Sequence, residues 1–121
     1  MKPVSILLCL MNFLGCQAAD FRSVDADRFA QVIEDTTVVR LDVRTASEYS
    51  QGHIPDALLI DVTQADFMQK AEQLLPKDKT IALYCRSGRR SKNAAMQLAK
   101  HGYKVIELNT GFNSWKGKVE R

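Results

Sequence analysis

The chain has 121 residues, the length of one domain and enough to bury a single core without disulfide or metal staples. Apolar residues at 45% and charged residues at 26% are the balance of an ordinary soluble globular protein. The net charge of +3 is small and no basic stretch is interleaved with aromatics, so nucleic acid is not supported as a partner.

Residues 1–19 read apart from the rest. In "MKPVSILLCLMNFLGCQAAD" one basic residue, Lys2, precedes a mostly apolar run from Val4 to Leu14, and small residues follow at Gly15, Ala18 and Ala19. A basic start, a short apolar core and a small-residue cleavage site are the layout of an export signal. The run is too short for an ordinary transmembrane helix, and Asn12 interrupts it. The competing reading is an N-terminal core helix. Cleavage after Ala18 or Ala19 is one expected route. "FLGC" offers a second: it resembles the bacterial lipoprotein box, with Cys16 as the lipid-bearing first residue, although Phe13 stands where that box prefers leucine. The expected location is periplasmic or otherwise exported, with a membrane anchor only if Cys16 carries lipid. Of the cysteines Cys9, Cys16 and Cys85, only Cys85 then remains as a free thiol of the mature domain, residues 20–121. An unpaired cysteine in an exported protein is a candidate reactive thiol rather than half of a disulfide framework.

The mature part alternates helix-like and strand-like segments. Asp25 is an N-cap candidate before Phe29, Val32 and Ile33 at helical spacing. "TVVRLDV" is a β-branched run that predicts a strand over Val38 to Val43. Thr45 and Glu48 form a capping box for a short helix that Gly52 ends. "ALLIDV" predicts a second strand. "TQADFMQKAEQLL" carries Ala65, Phe67, Met68, Ala71, Leu74 and Leu75 on one face and predicts an amphipathic helix, closed by a turn at Pro76, Lys77 and Asp78. "TIALYC" is a continuous apolar run of strand length, the pattern of a strand buried on both faces. A helix is predicted from about Arg89 to His101, with Gly102 as its C-cap. "KVIEL" is the next strand and "GFNSWKG" a final short helix. Such alternation argues an α/β domain with a mainly parallel sheet covered on both faces.

Cys85 falls at the carboxyl end of a central strand, where open α/β sheets bind ligands. The stretch after it, "RSG", enters a helix N-terminus, where free N–H groups and the helix dipole favour an anion. Gly88 lets the loop curl so that successive amides point inward. Arg86, Arg89, Arg90 and Lys92 add full charges. All of these favour thiolate over thiol. Two chemistries use such a cradle: phosphate-ester hydrolysis, and sulfur transfer through a cysteine persulfide. Loop length separates them. Cysteine phosphatases carry C-x5-R, whereas that count lands here on Ser91, and the arginine stands at C-x4-R on Arg90. The shorter loop suits a single sulfur atom rather than a tetrahedral phosphate.

From Phe21 to Trp115 the chain resembles a single-domain rhodanese of the small exported bacterial kind. "LDVRTASEYSQGHIPDALLIDV" is similar to that family's first signature, "YCRSGRRS" to its active loop, and "GYKVIELNTGFNSWK" to its closing motif. The resemblance implies a mainly parallel five-stranded sheet in mixed order, with helices on both faces. It implies that Cys85 accepts a sulfane sulfur and becomes a persulfide. The amides from Arg86 through Ser87, Gly88 and Arg89 to Arg90 would hold that sulfur, with Arg86 and Arg89 favouring an anionic donor such as thiosulfate. Arg90 would brace the loop by pairing with an acid elsewhere. The expected activity is sulfur transfer to a thiol or cyanide acceptor, with no cofactor and no metal. A persulfide carrier serving a protein acceptor, or a module binding an anion or partner, is the alternative. A cysteine phosphatase or arsenate reductase is disfavoured by the loop count. Asp56 and Thr110 stand where the family usually has glycine; both lie in turns and neither removes a reacting group.

Other polar residues take structural readings. Asp42 and Arg44 are expected to serve as a structural ion pair or a cap between loops rather than to shape the mouth of the site. Glu48 reads as a capping and pairing residue, and His53 as an imidazole bonded to backbone rather than a base. His101 reads as a helix-end cation and Trp115 as packing.

Overall fold

The computed structural model describes residues 20–121; the export signal expected over residues 1–19, with Cys9 and Cys16, lies outside them. The elements in chain order are β1 (Arg22–Val24), α1 (Ala26–Val32), β2 (Val39–Asp42), α2 (Ala46–Gln51), β3 (Leu58–Leu59), α3 (Phe67–Leu74), β4 (Thr80–Tyr84), α4 (Arg89–Lys100), β5 (Lys104–Leu108) and a 3-10 turn (Phe112–Ser114). The five strands run in the order β1-β5-β4-β2-β3. Every pairing is parallel, so the sheet is all-parallel where the sequence predicted a mainly parallel one.

Local chemistry sets the element ends. Asp25 accepts from the Arg28 amide at 2.8 Å and starts α1. Thr45 and Glu48 form the expected capping box of α2. Two segments are shorter than predicted. "ALLIDV" contributes only two strand residues, although the Ile60 and Val62 amides still bond to the Asp42 and Val43 carbonyls. The helix expected from Thr63 begins at Phe67, because Asp61 ties the Thr63 amide and hydroxyl into a turn. The final helix is a single 3-10 turn. Strand β1 was missed: three residues at a sheet edge, with no more than a partly buried valine, carry little periodic signal.

Alternation along β4 builds two cores. Ile81, Leu83 and Cys85 face α3 and α4, and pack with Phe67, Ala71, Ala95 and Leu98. Ala82 and Tyr84 face the other side, with Phe29 and Ile33, against which Phe112 and Trp115 pack. Burying these side chains supplies the dominant favourable free energy of the fold. The register also sets up chemistry. Ser23 lies opposite Glu107, and Glu107 opposite Leu83. Residues in register share a face, so Ser23 and Glu107 point toward the same side as Cys85.

Candidate active site

Cys85 follows the last residue of β4 and is fully buried. The Gly88 amide lies 3.1 Å from its Sγ, and the Ser91 hydroxyl oxygen 3.4 Å away. Burial pushes the thiol up. The Ser91 hydroxyl and the amides of Ser91, Gly88 and Ser87 outweigh that, and the thiol ends below its ordinary value. The inward turn of these amides depends on Gly88, which has φ +99 in the left-handed region and stands at the N-cap of α4. A Cβ there would also collide with the Asn109 carbonyl. Gly111 presses on the loop from the other side: a Cβ at that position would strike the Arg86 carbonyl. The Phe112 amide donates to the Cys85 carbonyl at 2.8 Å and the Asn113 amide to that of Arg86 at 3.0 Å. The segment after β5 thus holds the loop after β4 by its backbone.

The other expected site residues fall around this cradle. Arg86, Ser87 and Arg89 are exposed beside the buried sulfur. Arg90 turns away and makes a two-pronged pair with Glu48, at 2.8 and 2.9 Å. This is the brace expected of Arg90, and Glu48 is the acid. The guanidinium holds the Glu48 carboxyl down to about 2, against the opposing effect of burial and with help from Thr45. Arg90 is raised in turn by Glu48 first, and the Cys85 and Asp61 charges add to the shift.

Arg44 and Asp42 form the expected ion pair, 2.7 Å apart and buried, and Arg44 also donates to the Gly52 carbonyl at 2.7 Å. The Arg44 guanidinium lies 4.4 Å from the Phe112 ring centroid. It nevertheless lines a cleft of about 260 Å³ beside the loop, with Glu48, Arg86, Phe112 and Asn113. His53 Nδ1 is 2.8 Å from the Tyr49 carbonyl, as a structural histidine should be. Asp56 has φ +67, so it adopts the left-handed conformation that glycine takes most readily. Thr110 Oγ1 donates to Ser114 Oγ at 2.6 Å at the entry to the 3-10 turn.

Sequence reasoning missed the polar group beneath the sulfur. Glu107 is fully buried on β5. It accepts from Ser23 Oγ on one oxygen, and from Ser91 Oγ and Lys92 Nζ on the other. The available signal was an acid inside the otherwise apolar strand "KVIEL", an environment that an ionised side chain enters only with partners. Lys92 serves this carboxylate and the Gly88 and Asn109 carbonyls. It neutralises Glu107 beneath the cradle rather than standing as a free charge at its rim.

The family profile described as a rhodanese-like domain matches residues 25–118. The chain belongs to the rhodanese-like domain family. Among curated relatives it is 36% identical over 94 residues to a sulfurtransferase of Allochromatium vinosum, covering 76% of this chain and 85% of that one. It is 31% identical over 99 residues to the thiosulfate sulfurtransferase GlpE of Pseudomonas savastanoi pv. phaseolicola, covering 80% and 89%. The crystal structure of a rhodanese-related protein from Thermoplasma volcanium is similar at a TM-score of 0.70 and 26% identity, over 83% of this chain and 98% of that one. The fold of this rhodanese-like domain is therefore the one the motifs implied.

Proposed function

We propose that this rhodanese-like protein transfers a sulfane sulfur from an anionic donor such as thiosulfate to a nucleophilic acceptor, cyanide or a thiol, through a persulfide on Cys85. The observation that carries the reading is the Gly88 amide 3.1 Å from the Cys85 sulfur, in a loop whose hydrogen bonds lower the thiol. In the first half-reaction the thiolate attacks the outer sulfur of thiosulfate. A sulfur–sulfur bond forms at Cys85, the donor's own sulfur–sulfur bond breaks, and sulfite leaves with that electron pair. In the second half-reaction the acceptor attacks the outer persulfide sulfur and the thiolate returns. The inward amides stabilise the negative sulfur at both stages. Arg86 and Arg89, both exposed beside the loop, attract the anionic donor. The names of the relatives from Allochromatium vinosum and Pseudomonas savastanoi pv. phaseolicola support the same chemistry. The export read from residues 1–19 belongs to this proposal.

Thiosulfate-to-cyanide transfer by the wild type beside Cys85→Ser, with an aryl phosphate in parallel, tests it. Transfer that is lost in the variant, with the phosphate ester untouched, is the expected result. No transfer by a protein whose Cys85 is intact would sink turnover on small donors and favour a carrier role. Hydrolysis of the ester would revive the phosphatase.

A further inference from the structure

Glu107 is a carboxylate with no exposed surface in a largely apolar core. Ser23 Oγ lies 2.5 Å from its Oε1, while Ser91 Oγ at 2.5 Å and Lys92 Nζ at 3.3 Å share its Oε2. Ser91 Oγ also stands 3.4 Å from Cys85 Sγ. Cys85, Ser91 and Glu107 therefore form one unbroken line, and all are fully buried.

Hydrogen counting constrains this line. The Ser91 hydroxyl has a single hydrogen. An ionised carboxylate only accepts, so that hydrogen points at Glu107 and the Cys85 thiol donates to Ser91 Oγ. A Cys85 thiolate also only accepts. With both groups ionised, two buried negative charges would compete for one hydrogen, and one of them would lose its Ser91 donor.

The geometry points to a proton relay in which Glu107 takes up the Cys85 proton through Ser91. The Cys85 S–H bond breaks and its proton passes to Ser91 Oγ, while the Ser91 hydroxyl proton passes to Glu107 Oε2. The products are a thiolate that accepts from the Ser91 hydroxyl and a neutral Glu107 carboxyl that donates to the Ser91 oxygen. No proton leaves the site and its net charge is unchanged. One negative charge moves from Glu107 to the sulfur, beneath the inward amides and the N-terminus of α4. Glu107 does not touch the reacting sulfur; it is a positioning residue for the proton and acts through Ser91. The charged groups facing the line are Lys92, and Arg90 with Glu48 and Asp61 behind it; Ser23 faces it from β1 without charge. The inference rests on the reading of Cys85 as the nucleophile of the proposed cycle.

Infrared spectroscopy and the pH dependence of iodoacetamide alkylation test the relay without any sulfur donor, so their outcome is independent of the transfer assay. Alkylation is followed on the Cys85 peptide of the purified protein by mass spectrometry. At neutral pH the wild type should show the C=O band of a neutral carboxylic acid at a fraction of one per protein, because Cys85 and Glu107 share a single proton. That band should be lost in Glu107→Gln, which assigns it, and in Cys85→Ala, where no thiolate is left to compete with Glu107 for the Ser91 hydrogen. Alkylation of the wild type should rise in two steps with a flat stretch between them, because one proton is shared by two coupled groups. In Glu107→Gln it should rise in one step. If that variant does not fold, the comparison with Cys85→Ala still decides. A wild type with no neutral-carboxyl band and one-step alkylation would overturn the relay. A band that survives in Cys85→Ala would overturn it too, since Glu107 would then be neutral whatever the thiol does.

Discussion

Gly88 gives the loop the turn that aims its amide at the Cys85 sulfur. Its φ of +99 is a conformation that side chains rarely adopt, and the space on its Cα is filled by the Asn109 carbonyl. Gly88→Ala should therefore destabilise the fold by about 2–4 kcal/mol, adding backbone strain to overpacking. The unfolding midpoint in urea measures this. Folded protein that remains should have a less acidic thiol, because the Gly88 amide moves off the sulfur; a variant with unchanged stability and unchanged thiol would show that the loop does not need glycine. At this scale the sequence was readable wherever chemistry is local. Cys85 at a strand end, the C-x4-R spacing and the capping box all lie within a few residues. Glu107 was not readable in the same way. Its partners Ser23 and Ser91 are 84 and 16 residues away, and only the parallel register brings them together.

Among the elements, α2 and α4 are tied by one ion pair. Arg90 lies in the first turn of α4 and Glu48 in the first turn of α2, so the pair fixes where the loop after β4 ends relative to the helix after β2. The Glu48 carboxyl titrates at about 2 in the folded chain, against a usual 4.5. A depressed folded value means that the pair's stabilisation is complete above about pH 4.5 and is lost as pH falls toward 2. Glu48→Gln should lower stability at neutral pH by about 1–2 kcal/mol, the contribution of a partly exposed charge-assisted pair. The gap from the wild type should close as pH drops through that window. Denaturant unfolding of both proteins across pH checks it, and a gap that stays constant with pH would contradict the assignment. The sequence showed Glu48 as a cap and a pairing residue, and Arg90 as a residue in need of an acid. It did not join them, because the two stand 42 residues apart and meet only once α2 and α4 come together at the carboxyl end of the sheet.

In the molecule as a whole, an all-parallel sheet gathers the working groups at one edge. Cys85 after β4, Asp42 as the last residue of β2 with Arg44 beyond it, and Asn109 and Gly111 after β5 all lie at strand carboxyl ends. The alternation of strands and helices made this architecture legible, since parallel strands need crossovers. The edge strand β1 escaped because three residues give no period. In the proposed cycle the Cys85 thiol, buried beside exposed cations, is the group that carries the sulfur. Mass spectrometry of the Cys85 peptide after incubation with thiosulfate tests this most directly. We predict a mass gain of one sulfur atom on Cys85, removed on addition of cyanide. An unmodified Cys85 after exposure to thiosulfate, in folded protein, would contradict the account.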